Sequence, residues 1–279
     1  MTWRLNWRQR RRYAWRVFAS GLSFTLFGVC GLLLGSLALP LLYLVSTDEG
    51  QRKTRVRRAI GGAFVFFAGF MKLVGLIDVS VYGAAGLRAR GAVIAPNHPS
   101  LIDVILLLAI APQLECVVKR AAWRNPFMAG VVIAAGYIDN DLDGPALLAR
   151  CADVISAGRS LLIFPEGTRT ELGGLVHLRR GAAAIALAAN AELVPVVIRC
   201  TPPALTKQHR WYDLPPDPLQ IRIDVHPPWL ATNYMARASN RAMAARKMTS
   251  DLEHFYRGEL RDQHAHARAD IRSSKGCAC

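Results

Sequence analysis

Apolar positions follow two different patterns along this chain, and the change comes near residue 79. Before it, residues 17–45 hold no charged side chain; as one continuous helix they would be ~43 Å long, more than the ~30 Å hydrocarbon core of a bilayer. A second apolar stretch, residues 60–77, is interrupted only by Lys72, whose long stem can carry its charge to an interface. The first stretch far exceeds the ~7–15 apolar residues of a signal-peptide core, so a retained anchor is expected rather than a cleaved leader. After residue 79 come short β-rich runs at 79–82, 92–95, 115–118, 161–164, 193–199 and 221–226. Several are apolar without alternation, the mark of strands covered on both faces. Helix-favouring segments at 101–110, 144–157 and 180–190 lie between them. The fold class is therefore α/β, a central largely parallel sheet flanked by helices, with an N-terminal membrane-embedded helical hairpin.

These patterns divide the chain into a basic N-terminus with anchoring helices (1–78), an α/β domain (79–230), and a C-terminal helix with a disordered tail (231–279). The helix is expected over about 233–261. Residues 201–220 hold five prolines beside Trp211 and Tyr212 and read as an ordered excursion over the core.

Charge alters the picture. The chain is 52% hydrophobic yet carries 35 Lys and Arg against 20 Asp and Glu, a formal +15, which suits an anionic membrane surface. Nucleic acid is excluded as a partner: the basic residues lie beside apolar segments, with no zinc-finger or RNA-binding signature. Arg4, Arg8, Arg10, Arg11, Arg12 and Arg16 precede the first apolar stretch, and Arg52, Lys53, Arg55, Arg57 and Arg58 follow it. Both flanks thus ask to be cytoplasmic. A spanning helix and a pair dipping into one leaflet both remain open, and the double flank, with Pro40 and Gly21, Gly28, Gly31 and Gly35, favours the second. Of the six cysteines, Cys30, Cys116 and Cys200 stand in apolar contexts and read as small buried hydrophobes in a reducing compartment. Cys277 and Cys279 belong to the tail and do not form a prenylation box. His264 and His266 are tail residues without partner ligands at metal-binding spacing, and no metal is expected.

Two segments carry chemistry. Asn97-His98-Pro99-Ser100-Leu101-Ile102-Asp103 leaves an apolar strand and enters an apolar helix. Ser100 as N-cap with Asp103 at the third helical position would make a capping box, which accounts for both residues but leaves His98 free. With the imidazole beside the first helical turn, Asp103 would accept its ring proton and fix the tautomer of a general base. The second segment, Phe164-Pro165-Glu166-Gly167-Thr168-Arg169-Thr170, follows the strand Leu161-Leu162-Ile163. Glu166 and Arg169 at the carboxyl end of a buried strand offer a fixed acid and a guanidinium suited to phosphate; a surface salt bridge is the plainer alternative. A Gly-x-Ser-x-Gly elbow, a zinc-binding His-Glu-x-x-His and a Gly-rich loop ending in Gly-Lys-Ser/Thr are all absent from the sequence.

In this order and spacing, behind an apolar segment, the two motifs resemble the lysophosphatidic acid (1-acylglycerol-3-phosphate) acyltransferase family, glycerolipid acyltransferases with a His-x4-Asp motif. The resemblance covers about residues 75–230, and Val194-Pro195-Val196-Val197 looks like the family's fourth block. It implies that His98 is the general base, that Asp103 supports it, and that Glu166, Gly167, Thr168 and Arg169 bind the acceptor. It also implies an acyl-carrier-protein or coenzyme A thioester as donor, a lysolipid acceptor, membrane lipids as surroundings and no bound cofactor. The expected location is the cytoplasmic (inner) membrane, with the catalytic domain facing the cytoplasm. One departure stands out: in Tyr137-Ile138-Asp139-Asn140, Asn140 occupies the place of the family's phosphate arginine. Lys119 and Arg120, with Arg124, are the candidates to compensate. The other acceptor considered is a lyso-aminolipid lacking glycerol phosphate, and a membrane-surface scaffold keeping the fold without the activity is the reading from another class.

Overall fold

The computed structural model describes residues 7–45, 48–142, 144–170 and 176–275. Three helices come first: α1 (Trp7–Leu33), α2 (Leu39–Leu44) and α3 (Glu49–Leu73). They lead into an eight-stranded sheet of β1 (Ile77–Tyr82), β2 (Ala92–Pro96), β3 (Glu115–Val118), β4 (Ile138–Asp139), β5 (Leu161–Leu162), β6 (Glu192–Thr201), β7 (Leu219–Val225) and β8 (Trp229–Leu230). Its crossovers and tail supply α4 (Asp103–Ile110), α5 (Arg120–Arg124), α6 (Ala129–Ala135), α7 (Gly144–Ser156), α8 (Gly181–Ala188), α9 (Ala231–Met235) and α10 (Arg241–Lys275).

β2 is central because all five of its residues are apolar and buried. Its side chains alternate between faces, Ala92 and Ile94 packing under α3 and α4, Val93 and Ala95 under α7, α8 and α10. The strand order is β1-β7-β6-β2-β5-β3-β4. The five strands β6, β2, β5, β3 and β4 are mutually parallel, β7 runs antiparallel to β6, and β1 pairs parallel with β7. β8 adds to the start of β6, on the edge whose upper part β7 occupies. β4, β8, α5 and α6 were not expected from sequence; the two-residue strands carry too few positions to show a period.

α1, a π-helical turn at Leu34–Ala38 and α2 form one continuous helical path. Pro40 has no N–H to donate and would crowd the carbonyl one turn back; the wider turn, closed by Leu39 N–H to Leu34 O, relieves this. Arg10–Leu44 is the one stretch among the described residues long and apolar enough to cross a membrane. The second apolar stretch is part of α3, which starts at Glu49 under an Asp48 cap, 2.6 Å from the Gln51 N–H. α3 packs against α4: a Cβ at Gly61 would stand 2.4 Å from Pro112, just past the end of α4, so only glycine permits this approach.

Two flanking cations prove to be structural rather than lipid-facing. Arg16 is buried and donates to the carbonyls of Pro215 (2.8 Å), Gly75 (2.6 Å) and Leu76 (3.4 Å). Arg57 is buried, donating to Glu115 at 2.7 Å and to Ala135 O at 2.9 Å. Lys72 pairs with Asp78 at 3.2 Å. The proline-rich excursion is a strap clasped by α1: Tyr13 and Ser20 donate to the carbonyls of Tyr212 and Trp211, beside Arg16 on Pro215.

The final helix continues beyond the expected end at 261, through positions 264 and 266 to Lys275, while Cys277 and Cys279 lie outside the described residues. Ala244, Ala245, Met248, Leu252 and Tyr256 recur at helical spacing and bury one stripe of α10. Cys116 and Cys151 are buried and Cys30 and Cys200 half-buried, all as free thiols. Burial pushes the Cys116, Cys151 and Cys200 thiols up, which keeps them protonated and inert.

Candidate active site

Parallel strands β2 and β5 end side by side, and each delivers one motif to the same crevice, where open α/β sheets place ligands. Past β2, Asn97 extends the sheet with its side chain, donating to Ile198 O at 2.9 Å and accepting from Ile198 N–H at 2.6 Å. That amide plug fixes the start of the turn carrying His98. His98 Nδ1 lies 2.9 Å from Asp103 Oδ2. Asp103 is fully buried, whereas the His98 side chain keeps 17% exposure. With Nδ1 committed to the carboxylate, Nε2 is the basic nitrogen.

Only half of the capping box forms. α4 begins at Asp103, and Ser100 is three residues ahead of it. The Asp103 carboxylate accepts the Ser100 N–H at 2.7 Å through Oδ2 and the Ser100 hydroxyl through Oδ1. It therefore receives three hydrogen bonds counting His98, and Ser100 serves to aim Asp103 instead of capping the helix.

Beyond β5, Phe164-Pro165-Glu166-Gly167 makes a turn closed by Gly167 N–H to Phe164 O at 3.0 Å. Glu166 is buried, and its Oε1 accepts the His98 N–H (2.9 Å) and the Thr170 hydroxyl (2.8 Å). The Thr170 N–H returns to His98 O at 2.8 Å. Glu166 therefore clamps the backbone that carries the base. Phe164 packs on the imidazole, ring centroids 4.2 Å apart. Thr168 is half-buried between these residues and Arg169.

Burial pushes the Glu166 carboxyl above the ordinary carboxylate range, while the bonds from His98 and Thr170 pull it down. A raised acid makes folding cost free energy at pH values above the raised pKa, and the cost vanishes below the ordinary value. Glu166→Gln keeps an acceptor oxygen and removes the charge. Its Tm should exceed that of wild type at neutral pH, with the gap closing toward about pH 4; thermal scans showing a pH-independent gap would contradict this.

The other predicted binding residues separate. Arg169 Nη1 donates to Leu205 O and Thr206 O, both at 3.0 Å, so its guanidinium holds the strap. Leu205 O also accepts the Leu101 N–H at 3.1 Å, from a backbone with φ +54°. Arg120, the first residue of α5, pairs with Asp139 (3.0 Å) and Asp141 (3.4 Å). Asn140 Oδ1 accepts the Arg120 N–H at 3.3 Å. Lys119 and Arg124 are exposed, Lys119 at the carboxyl end of β3.

One contributor had no signal in the sequence. The fully buried Tyr256 of α10 donates its hydroxyl to Ala95 O and accepts the Val196 N–H, standing between β2 and β6 at the level of Pro195. It braces the strand end two residues before Asn97.

The Acyltransferase family profile matches residues 78–199, which hold both motifs. Over those residues this chain is similar to the acyltransferase family. The 1-acyl-sn-glycerol-3-phosphate acyltransferase of Bacillus subtilis is 35% identical over 122 residues, 42% of this chain and 60% of that one. The Helicobacter pylori enzyme of the same name is 32% identical over 135 residues, 46% and 56% of the two chains. The chloroplastic LPAT1 of Arabidopsis thaliana is 27% identical over 114 residues, 39% and 32%. The match thus spans between about a third and three fifths of these relatives' lengths. The crystal structure of the 1-acyl-sn-glycerophosphate (LPA) acyltransferase, PlsC, from Thermotoga maritima superposes with a TM-score of 0.67 at 18% identity, over 88% of this chain and 98% of that one. That likeness establishes the acyltransferase fold.

Proposed function

We propose that this acyltransferase moves a fatty acyl group from an acyl-carrier-protein or coenzyme A thioester to the free hydroxyl of a lysophospholipid of the 1-acylglycerol-3-phosphate kind. The observation that carries the reading is the His98–Asp103 pair, with Nδ1 held at 2.9 Å and the opposite nitrogen left to meet a substrate. Nε2 takes the proton of the acceptor hydroxyl as its oxygen attacks the thioester carbonyl. The tetrahedral intermediate expels the thiolate, which receives that proton from the imidazolium, while Asp103 stabilises the charged ring in between. The relatives' names support a glycerol-phosphate acceptor. The apolar helical path Arg10–Leu44 supports work at a membrane, with the catalytic domain on the cytoplasmic side of the inner membrane.

A lyso-aminolipid acceptor is the second reading. It is favoured by Asn140 and by the commitment of Arg120 to Asp139 and Asp141. Purified full-length protein in detergent, offered lysophosphatidic acid and a lyso-aminolipid with each thioester donor, decides between them. Acylation of lysophosphatidic acid is the expected result. Acylation of the aminolipid alone would remove the glycerol-phosphate reading.

A further inference from the structure

We infer that Arg179, an arginine outside both motifs, is the residue that grips the acceptor's phosphate and selects for it; this rests on the lysophospholipid reading above. A phosphate monoester needs a cation free to form paired hydrogen bonds, a task that suits a guanidinium fork. The arginines predicted for that task are engaged elsewhere. Arg169 donates to the carbonyls of Leu205 and Thr206, and Arg120 is held by two aspartates.

Arg179 is exposed, and its side chain makes no hydrogen bond or ion pair among the described residues. Its guanidinium end rests on Gly167: a Cβ there would lie 2.9 Å from Nε, 3.1 Å from Cδ and 3.3 Å from Cζ. Gly167 has φ +66°, so the backbone calls for glycine at this point, and its bare Cα lets the guanidinium come close. The neighbouring residue in the chain is Glu166, whose carboxylate holds the His98 N–H. The arginine is thus stationed one residue from the clamp on the base. Its own backbone is pinned, with Arg179 N–H to Pro165 O at 2.7 Å and Leu178 N–H to the Glu253 carboxylate of α10 at 3.1 Å. A cation with no partner among the described residues breaks no bond of its own when it takes an anion. Arg179 therefore supplies the charge that Asn140 does not.

The test compares wild type with Arg179→Ala, Arg179→Lys and, as the control, Arg180→Ala at the adjacent exposed arginine. For lysophosphatidic acid, Arg179→Ala should raise KM at least about tenfold and leave kcat within about twofold, the mark of a lost binding contact. Arg179→Lys should fall between the two, keeping charge without the fork. With monoacylglycerol, which lacks the phosphate, Arg179→Ala should behave as wild type. An unchanged KM, or an equal rise in Arg180→Ala, overturns the inference. Calorimetric binding of lysophosphatidic acid in detergent micelles, without donor, separates this from the catalytic reading. Binding that needs Arg179 in a protein that acylates only another acceptor would sink the proposed reaction and spare the inference. Binding indifferent to Arg179, or no binding by wild type, sinks the inference even where turnover stands.

Discussion

Replacing His98 with alanine is expected to lower kcat for acyl transfer by about 10²- to 10⁴-fold, the usual worth of a positioned general base. The imidazole has a second nitrogen opposite the one held by Asp103, and Asp103 is spent on the ring and on Ser100. The fold should survive, because the side chain is partly exposed and the turn is held through backbone atoms, His98 N–H to Glu166 and His98 O to Thr170. A Tm within a few degrees of wild type would show this. Radiolabelled-acyl transfer measured beside that Tm checks both halves. Transfer within threefold of wild type would remove His98 from the chemistry.

Glu115→Gln should destabilise the protein by about 3–5 kcal/mol, the cost of stripping the partner from a buried charge. Glu115 is fully buried at the start of β3, and its Oε1 accepts from both Arg57 of α3 and Arg159. Neutralising it leaves the buried Arg57 guanidinium without a counter-charge, only its bond to Ala135 O remaining, on a helix that also packs against α1. Arg159 suffers less, since its side chain is 39% exposed and can turn to water. The double variant Arg57→Met/Glu115→Leu should recover most of the loss, because no charge is left to desolvate. By contrast, Lys247→Ala, which removes the exposed partner of the Lys247–Asp251 pair, should cost under about 1 kcal/mol. Denaturant or thermal unfolding followed by circular dichroism tests all three. A Glu115→Gln variant as stable as wild type would show that the buried pair does not tie α3 to the sheet.

The sequence by itself determined the parts whose physics is local. Continuous apolar runs marked β2, β3 and β6 because strands covered on both faces need no polar side, and each was placed to within a few residues. The His98–Asp103 pair was legible because a strand-to-helix turn of this length can bring the ring beside the carboxylate and a second motif follows it in the chain, although Asn97, Glu166 and Thr170 hold the turn in place. The block from Glu166 to Arg169 was legible as a turn at the end of a buried strand. What each charged group does was decided by the tertiary structure. Arg16 and Arg57 read as membrane-flanking charges, yet one clasps carbonyls up to 199 positions away and the other neutralises Glu115 58 positions on. Arg169 read as a phosphate ligand and is found with Nη1 on the strap, while Arg179 read as nothing and lies over Gly167. Tyr256 braces β2 from 161 residues downstream. The reason is physical: periodicity records which face of an element meets water, but a guanidinium or hydroxyl on a long flexible arm takes whichever acceptor the folded backbone brings within about 3 Å, and distant chain segments meet only when the sheet has formed.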